Sequence, residues 1–213
     1  MAKSQLKCTN FVQQIKKMYF KKYLFKTNIM RKKYTKEEME MTDLYIDFDG
    51  VIKDTIKVSY KMMEEQGISL SDRPRVIKFY QDINWRELIE VSDELKRAFH
   101  YINQICEEKR YRVSILTTVN SQQEMIAKVN YIRSKNKEVG IIFVPSGIDK
   151  SQIVKAQDAI LVDDYSGNLL KWTEAGGIGI KFAEEDNFAT INTLKVFTEN
   201  KNSMVLCRKK KYT

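Results

Sequence analysis

Five short apolar runs, at residues 44–46, 113–116, 141–144, 159–162 and 178–182, constrain the fold more than any other feature of the chain. Each is rich in Ile, Leu and Val and lacks strict polar alternation, the pattern of a strand covered on both faces. Helical patterns fill most of the intervals. Met125, Ile126, Val129 and Ile132 fall on one helix face, and Leu169, Leu170 and Trp172 begin another. Strands alternating with helices of this length predict βαβ units, and hence an α/β fold with a three-layer, Rossmann-like parallel sheet. Gly176 and Gly177 end a helix and open the fifth strand.

The first interval breaks the alternation. Residues 55–109 read as helix throughout, with Trp85, Leu88, Ile89, Leu95, Phe99, Ile102 and Cys106 near helical spacing and Arg73-Pro74 marking a turn. A small helical cap inserted after the first strand would stand over that strand's carboxyl end, where open α/β sheets bind ligands. The expected organisation is a core of residues 41–54 and 110–207, with 55–109 as the cap.

Charge is unevenly placed. Of 37 Lys and Arg, 11 lie in residues 1–36, which hold no acid, and four more form the run at 208–211. The stretch between, 37–207, carries 22 basic against 28 acidic residues, so the body is acidic and its ends are basic. The arm at 1–40 has two readings. Lys interleaved with Phe and Tyr can pair phosphates and stack bases, which makes the arm the one place for a nucleic-acid partner. Alternatively, Lys36-Glu37-Glu38 is what a purine-rich ribosome-binding sequence encodes, with Met39 or Met41 as the start and the arm as translated leader.

Several classes fall away. No apolar run reaches the roughly 18 to 20 residues of a membrane span, so no membrane partner is expected. Three scattered cysteines, Cys8, Cys106 and Cys207, and one histidine, His100, leave no material for a zinc site or a Ser/His/Asp triad. The thiols read as free in a reducing cytoplasm.

Polar residues close the strands instead. The first run ends in Asp47-Phe48-Asp49-Gly50 and the second in Thr117-Thr118. Ser146, Asp149 and Lys150 follow the third, and the fourth ends in Asp163-Asp164. Adjacent parallel strands lie about 4.8 Å apart, so these groups can converge. Four carboxylates in one pocket repel one another, and a divalent cation with a lysine beside it relieves them; oxygen ligands favour Mg²⁺.

These residues, in this order, resemble the motifs of the haloacid dehalogenase-like (HAD) hydrolase superfamily. The match comprises Asp47 to Asp54, Ile115-Leu116-Thr117, Lys150, and Leu161-Val162-Asp163-Asp164, spread over residues 43–182. Asp49-Gly50-Val51 and Asp163 to Leu169 look most like the 5′(3′)-deoxyribonucleotidase branch. The resemblance implies that Asp47 attacks phosphorus to form an aspartyl-phosphate. It makes Asp49 the acid for the leaving oxygen and then the base for water; members with Thr or Tyr there are typically ATPases or dehalogenases. Mg²⁺ is implied between the Asp47 carboxylate, the Asp49 main-chain carbonyl and Asp164, with Thr117 and Lys150 on the phosphoryl group and Lys155 as an alternative lysine. Asp163, Thr118 and Asn168 are expected in support, and Tyr80 and Trp85 as substrate contacts from the cap; helical core is the default for both, favoured for Trp85, with Tyr80 the better stacking candidate.

The function so implied is a Mg²⁺-dependent phosphomonoesterase acting on a small phosphorylated substrate such as a nucleoside monophosphate. A sugar-phosphate phosphatase or phosphomutase keeps the same two aspartates. From another class, a nucleic-acid-binding protein would act through the basic ends and leave the aspartates inert.

Overall fold

The structure, a computed structural model, describes residues 41–182. The basic arm, the basic tail, Cys8, Cys207 and the expected core beyond residue 182 lie outside the described residues. Five strands, β1 (Thr42–Ile46), β2 (Tyr111–Val119), β3 (Gly140–Pro145), β4 (Ile160–Asp163) and β5 (Ile178–Lys181), form one parallel sheet in the order β3-β2-β1-β4-β5. Ile46 of the central strand lies opposite Ile115 on one side and Val162 on the other. β1, β2 and β3 contain the apolar runs read from the sequence, and β4 and β5 take up theirs except for Ala159 and Phe182. β2 runs on to Val119, so Thr117 lies within the strand and not at its end.

Side chains alternate across the sheet because successive residues of a strand point to opposite faces. Leu44, Ile46, Ile115, Ile160 and Val162 join one core cluster, whereas Tyr45, Leu116, Leu161, Leu169 and Trp172 build the other. Trp172 is fully buried and donates its indole N–H to the Ala159 carbonyl. Burying such side chains contributes about 1.5–3 kcal/mol each. That is the reserve from which a cluster of buried charge at the sheet edge can be tolerated.

Between β1 and β2 the chain is helical, but it serves two layers. Helices α1 (Thr55–Glu65), α2 (Arg73–Asp82) and α3 (Trp85–Val91) precede a 3₁₀ turn (Leu95–Arg97), and α4 (Ala98–Glu108) follows. Arg73-Pro74 opens α2, with Asp72 capping it through the Arg75 N–H; Pro is tolerated in a first turn, where its missing N–H has no partner to lose. Helix α4 packs on β2 and gives Phe99, Ile102 and Ile105 to the central core. It is therefore the crossover helix of the sheet, and the helices standing over the edge end before it. The 55–109 span read as cap is thus divided, because periodicity reveals a buried face and not what buries it.

The remaining helices are α5 (Gln122–Lys135), α6 (Lys150–Ile153) and α7 (Ser166–Glu174). Helix α5 corrects the expected apolar face. Ile126 is 52% exposed, and the face turned inward is Glu124, Lys128 and Ile132.

Candidate active site

Strand order reverses at β1, which has β2 and then β3 on one side and β4 and then β5 on the other. The crevice at such a switch point is where open α/β sheets take ligands. Asp47 follows β1 directly, its N–H bonded to the Val162 carbonyl at 2.9 Å, so it stands beside the end of β4. The chain then turns sharply, with the Ile52 and Lys53 N–H groups both donating to the Phe48 carbonyl. Gly50 takes a left-handed φ of +71° in that turn. A Cβ there would stand 2.2 Å from an Asp164 carboxylate oxygen, so glycine is what lets the two segments close on each other.

Lys150 opens α6 and is 3% exposed. Its Nζ lies 2.9 Å from Asp47 Oδ1 and 2.6 Å from Asp163 Oδ2. Asp163 is fully occupied: Oδ2 also accepts from Asn168 Nδ2 at 2.9 Å, and Oδ1 accepts from the Tyr165 N–H at 2.8 Å. It fixes the lysine; Asp164 lines the adjoining cavity, and Asp47 is buried beside the lysine. Lys155 is exposed, and of the two lysines only Lys150 reaches the carboxylates. Asp149 turns away to pair with Lys171 at 2.6 Å.

Electrostatics single out the same residues. Burial pushes the Asp47 carboxyl up to about 7 against the pull of Lys150. Burial, with Asp163 next to it, raises Asp164 to about 6. Burial alone would depress Lys150, but Asp47 and Asp163 hold its ammonium above the usual range. One cation shared by two acids, with a third acid alongside, leaves negative charge uncompensated.

The donor set fits a hard divalent cation. Single carboxylate oxygens of Asp47, Asp163 and Asp164 lie within 4.8 Å of one another. Asp163 is committed to protein donors, whereas the Asp164 side chain has no hydrogen-bond partner among the described residues. Asp47 and Asp164 would therefore hold the ion, and oxygen-only ligands select Mg²⁺. A pH dependence follows. Both carboxyls sit above the ordinary value of about 3.9, so without metal the folded state retains protons that the unfolded chain releases. Metal-free stability should fall as pH rises from about 4 through 7 and level off above. Mg²⁺ needs both groups ionised, so thermal melts should show little Mg²⁺ effect at pH 5. At pH 8, and 100 times the dissociation constant, about 2.7 kcal/mol of stabilisation is expected. A Mg²⁺ shift equal at both pH values would reject these ligands.

Asp49 faces the same crevice. Oδ1 accepts from Thr55 Oγ1 at 2.7 Å, and Oδ2 lies 3.4 Å from Thr117 Oγ1 and 2.5 Å from Lys128 Nζ. Thr118 contributes its carbonyl, 3.0 Å from the same Nζ. Sequence reasoning missed Lys128 and Glu124. As a Glu/Lys pair at i,i+4 they read as a solvated helix face; the available signal was their four-residue step to Ile132, which places all three on one side.

The structure sets the two cap aromatics against each other. Trp85 is 4% exposed, donates its indole N–H to the Tyr80 carbonyl, and stacks on the Tyr80 ring with centroids 5.9 Å apart. Tyr80 is further bound to Ser59 Oγ at 2.9 Å. The pair is satisfied by itself, which is the helical-core arrangement, and leaves no ring face of Trp85 for a substrate. The space beside the site lies elsewhere. A cavity of about 1060 Å³ is lined by Gly50, Asp164 and Lys181, by Lys57 and Tyr60 of α1, and by Leu70. Tyr60 is 45% exposed there.

No protein-family model matches the chain, and no curated protein matches it. Three solved structures that it resembles are HAD-superfamily or HAD-family proteins. One, from Ehrlichia chaffeensis, is 13% identical with a TM-score of 0.46 over 74% of this chain and 96% of that one. A subfamily IA, variant 1 hydrolase from Geobacter sulfurreducens is 15% identical, with a TM-score of 0.44 over 67% and 89%. A HAD family enzyme from Bacteroides thetaiotaomicron, in complex with magnesium and inorganic phosphate, is 12% identical, with a TM-score of 0.38 over 70% and 97%. Among the described residues no helix is long and apolar enough to cross a membrane.

Proposed function

We propose that this protein is a Mg²⁺-dependent phosphomonoesterase of the HAD type, acting on a small phosphorylated metabolite in a reducing cytoplasm. The observation that carries the reading is the buried Asp47–Lys150–Asp163 cluster at the switch point, with Asp164 pressed against Gly50 and Asp49 opposite. An Asp47 oxygen attacks phosphorus; as that bond forms, the bond to the leaving oxygen breaks, its electron pair stays on that oxygen, and a proton from the Asp49 carboxyl completes the alcohol. Asp49, now ionised, takes a proton from water whose oxygen bonds to phosphorus. The bond to Asp47 breaks, its electrons return to the carboxylate, and inorganic phosphate leaves. Lys150 and the Thr117 hydroxyl hold phosphoryl oxygens. Mg²⁺ on Asp47, Asp164 and the Asp49 carbonyl would supply charge neutralisation at the phosphoryl group.

The cavity supports a leaving group larger than a methyl or glycerol unit, since drug-sized ligands occupy about 300–1,000 Å³. A nucleoside suits it, with the base against Tyr60 in place of the self-paired Tyr80 and Trp85. Phosphate release is the test, from nucleoside monophosphates, sugar phosphates and glycerol phosphate, with Mg²⁺ and with EDTA. Turnover should require Mg²⁺. Tyr60→Ala should raise KM for a nucleotide about tenfold, the worth of one stacking contact at about 1–3 kcal/mol, and leave glycerol phosphate unchanged. No phosphate release from any of them would reject the reading; phosphate transferred back to a sugar phosphate would identify a mutase.

A further inference from the structure

We propose that Lys128 is the positioning residue for Asp49, an inference that rests on the acid/base role given to Asp49 above. Lys128 has no exposed surface. Its Nζ is surrounded by four oxygens, those of Asp49 at 2.5 Å, Glu124 at 2.7 Å, and the Thr117 hydroxyl and Thr118 carbonyl at 3.0 Å each. The rings of Phe48 and Trp85 close over it at 5.3 and 5.2 Å. Glu124 is itself anchored, one oxygen accepting from the Asn120 N–H at 2.7 Å.

Taking an ammonium out of water costs several kcal/mol, and replacing a whole buried ion-pair cluster by apolar residues is often neutral or stabilising, whereas removing one partner alone strands the others. Packing alone therefore gives no reason for a lysine beneath the site. What the buried charge provides is a fixed direction. Asp49 stands on the turn after β1, beyond the ladder that holds the strands. Its two oxygens are tied separately, one to Thr55 at the start of the cap and the other to Lys128 on the core helix α5. A group that must give a proton to one oxygen and take it from another has to be held within about 0.5 Å and 10–20° of its productive geometry. Lys128 does this through a rigid helix, and Glu124 holds the lysine from the turn before.

The test separates leaving-group departure from the rest of the cycle. Single-turnover release of glycerol from glycerol phosphate needs the proton from Asp49, whereas release of 2,4-dinitrophenol from its phosphate does not. Lys128→Met should slow the first about 10²-fold, in the range of a lost general acid, and the second less than about threefold, with KM little changed. Combined with Asp49→Asn it should add no further loss, because both changes remove one function. Lys128→Arg keeps the charge with a different reach and should show the same selective loss in weaker form, which keeps the test alive if the Met variant does not fold. Equal losses on both substrates in a folded variant, or additive losses in the double variant, would overturn the proposal. A wild-type protein inactive on both substrates would instead reject the phosphatase reading, and the Lys128 assignment with it.

Discussion

Asp47→Asn is expected to lower phosphate release on the order of 10³-fold or more, the scale of loss when an attacking group is removed. An amide nitrogen and carbonyl cannot form the acyl-phosphate, and a neutral group at this position no longer supplies a charged oxygen to the cation. The fold should survive. Asp47 Oδ1 accepts from the Phe48 N–H at 2.8 Å, and the Asn carbonyl oxygen keeps that bond. Lys150 retains Asp163 at 2.6 Å, so no cation is stranded. Because burial raises the Asp47 carboxyl to about 7, its ionised form is disfavoured in the folded state at high pH. The metal-free Asn variant should therefore melt no lower than wild type at pH 8. A folded Asn variant retaining a few per cent of activity would remove Asp47 as the nucleophile.

The strands and the strand-end acids were legible because their signals are local. A continuous run such as Leu161-Val162 followed by Asp163-Asp164 announces both a doubly covered strand and the polar edge at its end. The lysine beside them needed the fold: Lys150 and Lys155 lie five residues apart, and only the position at the first turn of α6 brings one of them to Asp47. Lys128 was opaque for a related reason. A lysine is normally solvated, and its burial depends on Asp49 and Thr117, which are distant in sequence and adjacent only once β1 and β2 pair in register. Ile126 is the converse, an apolar residue read as core that faces out because the ionic side of α5 takes the inward position. Helix α4 carried a clear apolar face, but Phe99 and Ile102 would read the same against cap or sheet. Trp85 reads as helical core from its spacing to Leu88 and Ile89, with Tyr80 the better stacking candidate, and only the fold shows the two rings stacked on each other.

Lys150→Met should be strongly damaging to stability. It leaves Asp47 and Asp163 buried side by side with no cation between them, and breaking a buried pair by removing one partner costs about 3–5 kcal/mol. For a domain of this size, at about 2–4 °C per kcal/mol, the melting temperature should fall by roughly 10 °C. The deficit should depend on pH in a definite direction. Lys150 lowers the Asp47 carboxyl in the native protein, so without it Asp47 is pushed further above the ordinary carboxylate range. The folded variant then retains protons to higher pH than wild type does, and acid stabilises it more. Its deficit should be largest at pH 8 and shrink toward pH 5, where Asp47 is neutral and less buried charge is left unpaired. Lys155→Ala, an exposed residue, should change stability by less than about 0.5 kcal/mol at either pH. Thermal melts of the two variants at pH 5 and pH 8 measure this directly. A Lys150→Met deficit that is absent, or that has the same size at both pH values, would mean that the charge on Lys150 is not what balances the acids at the end of β1 and β4.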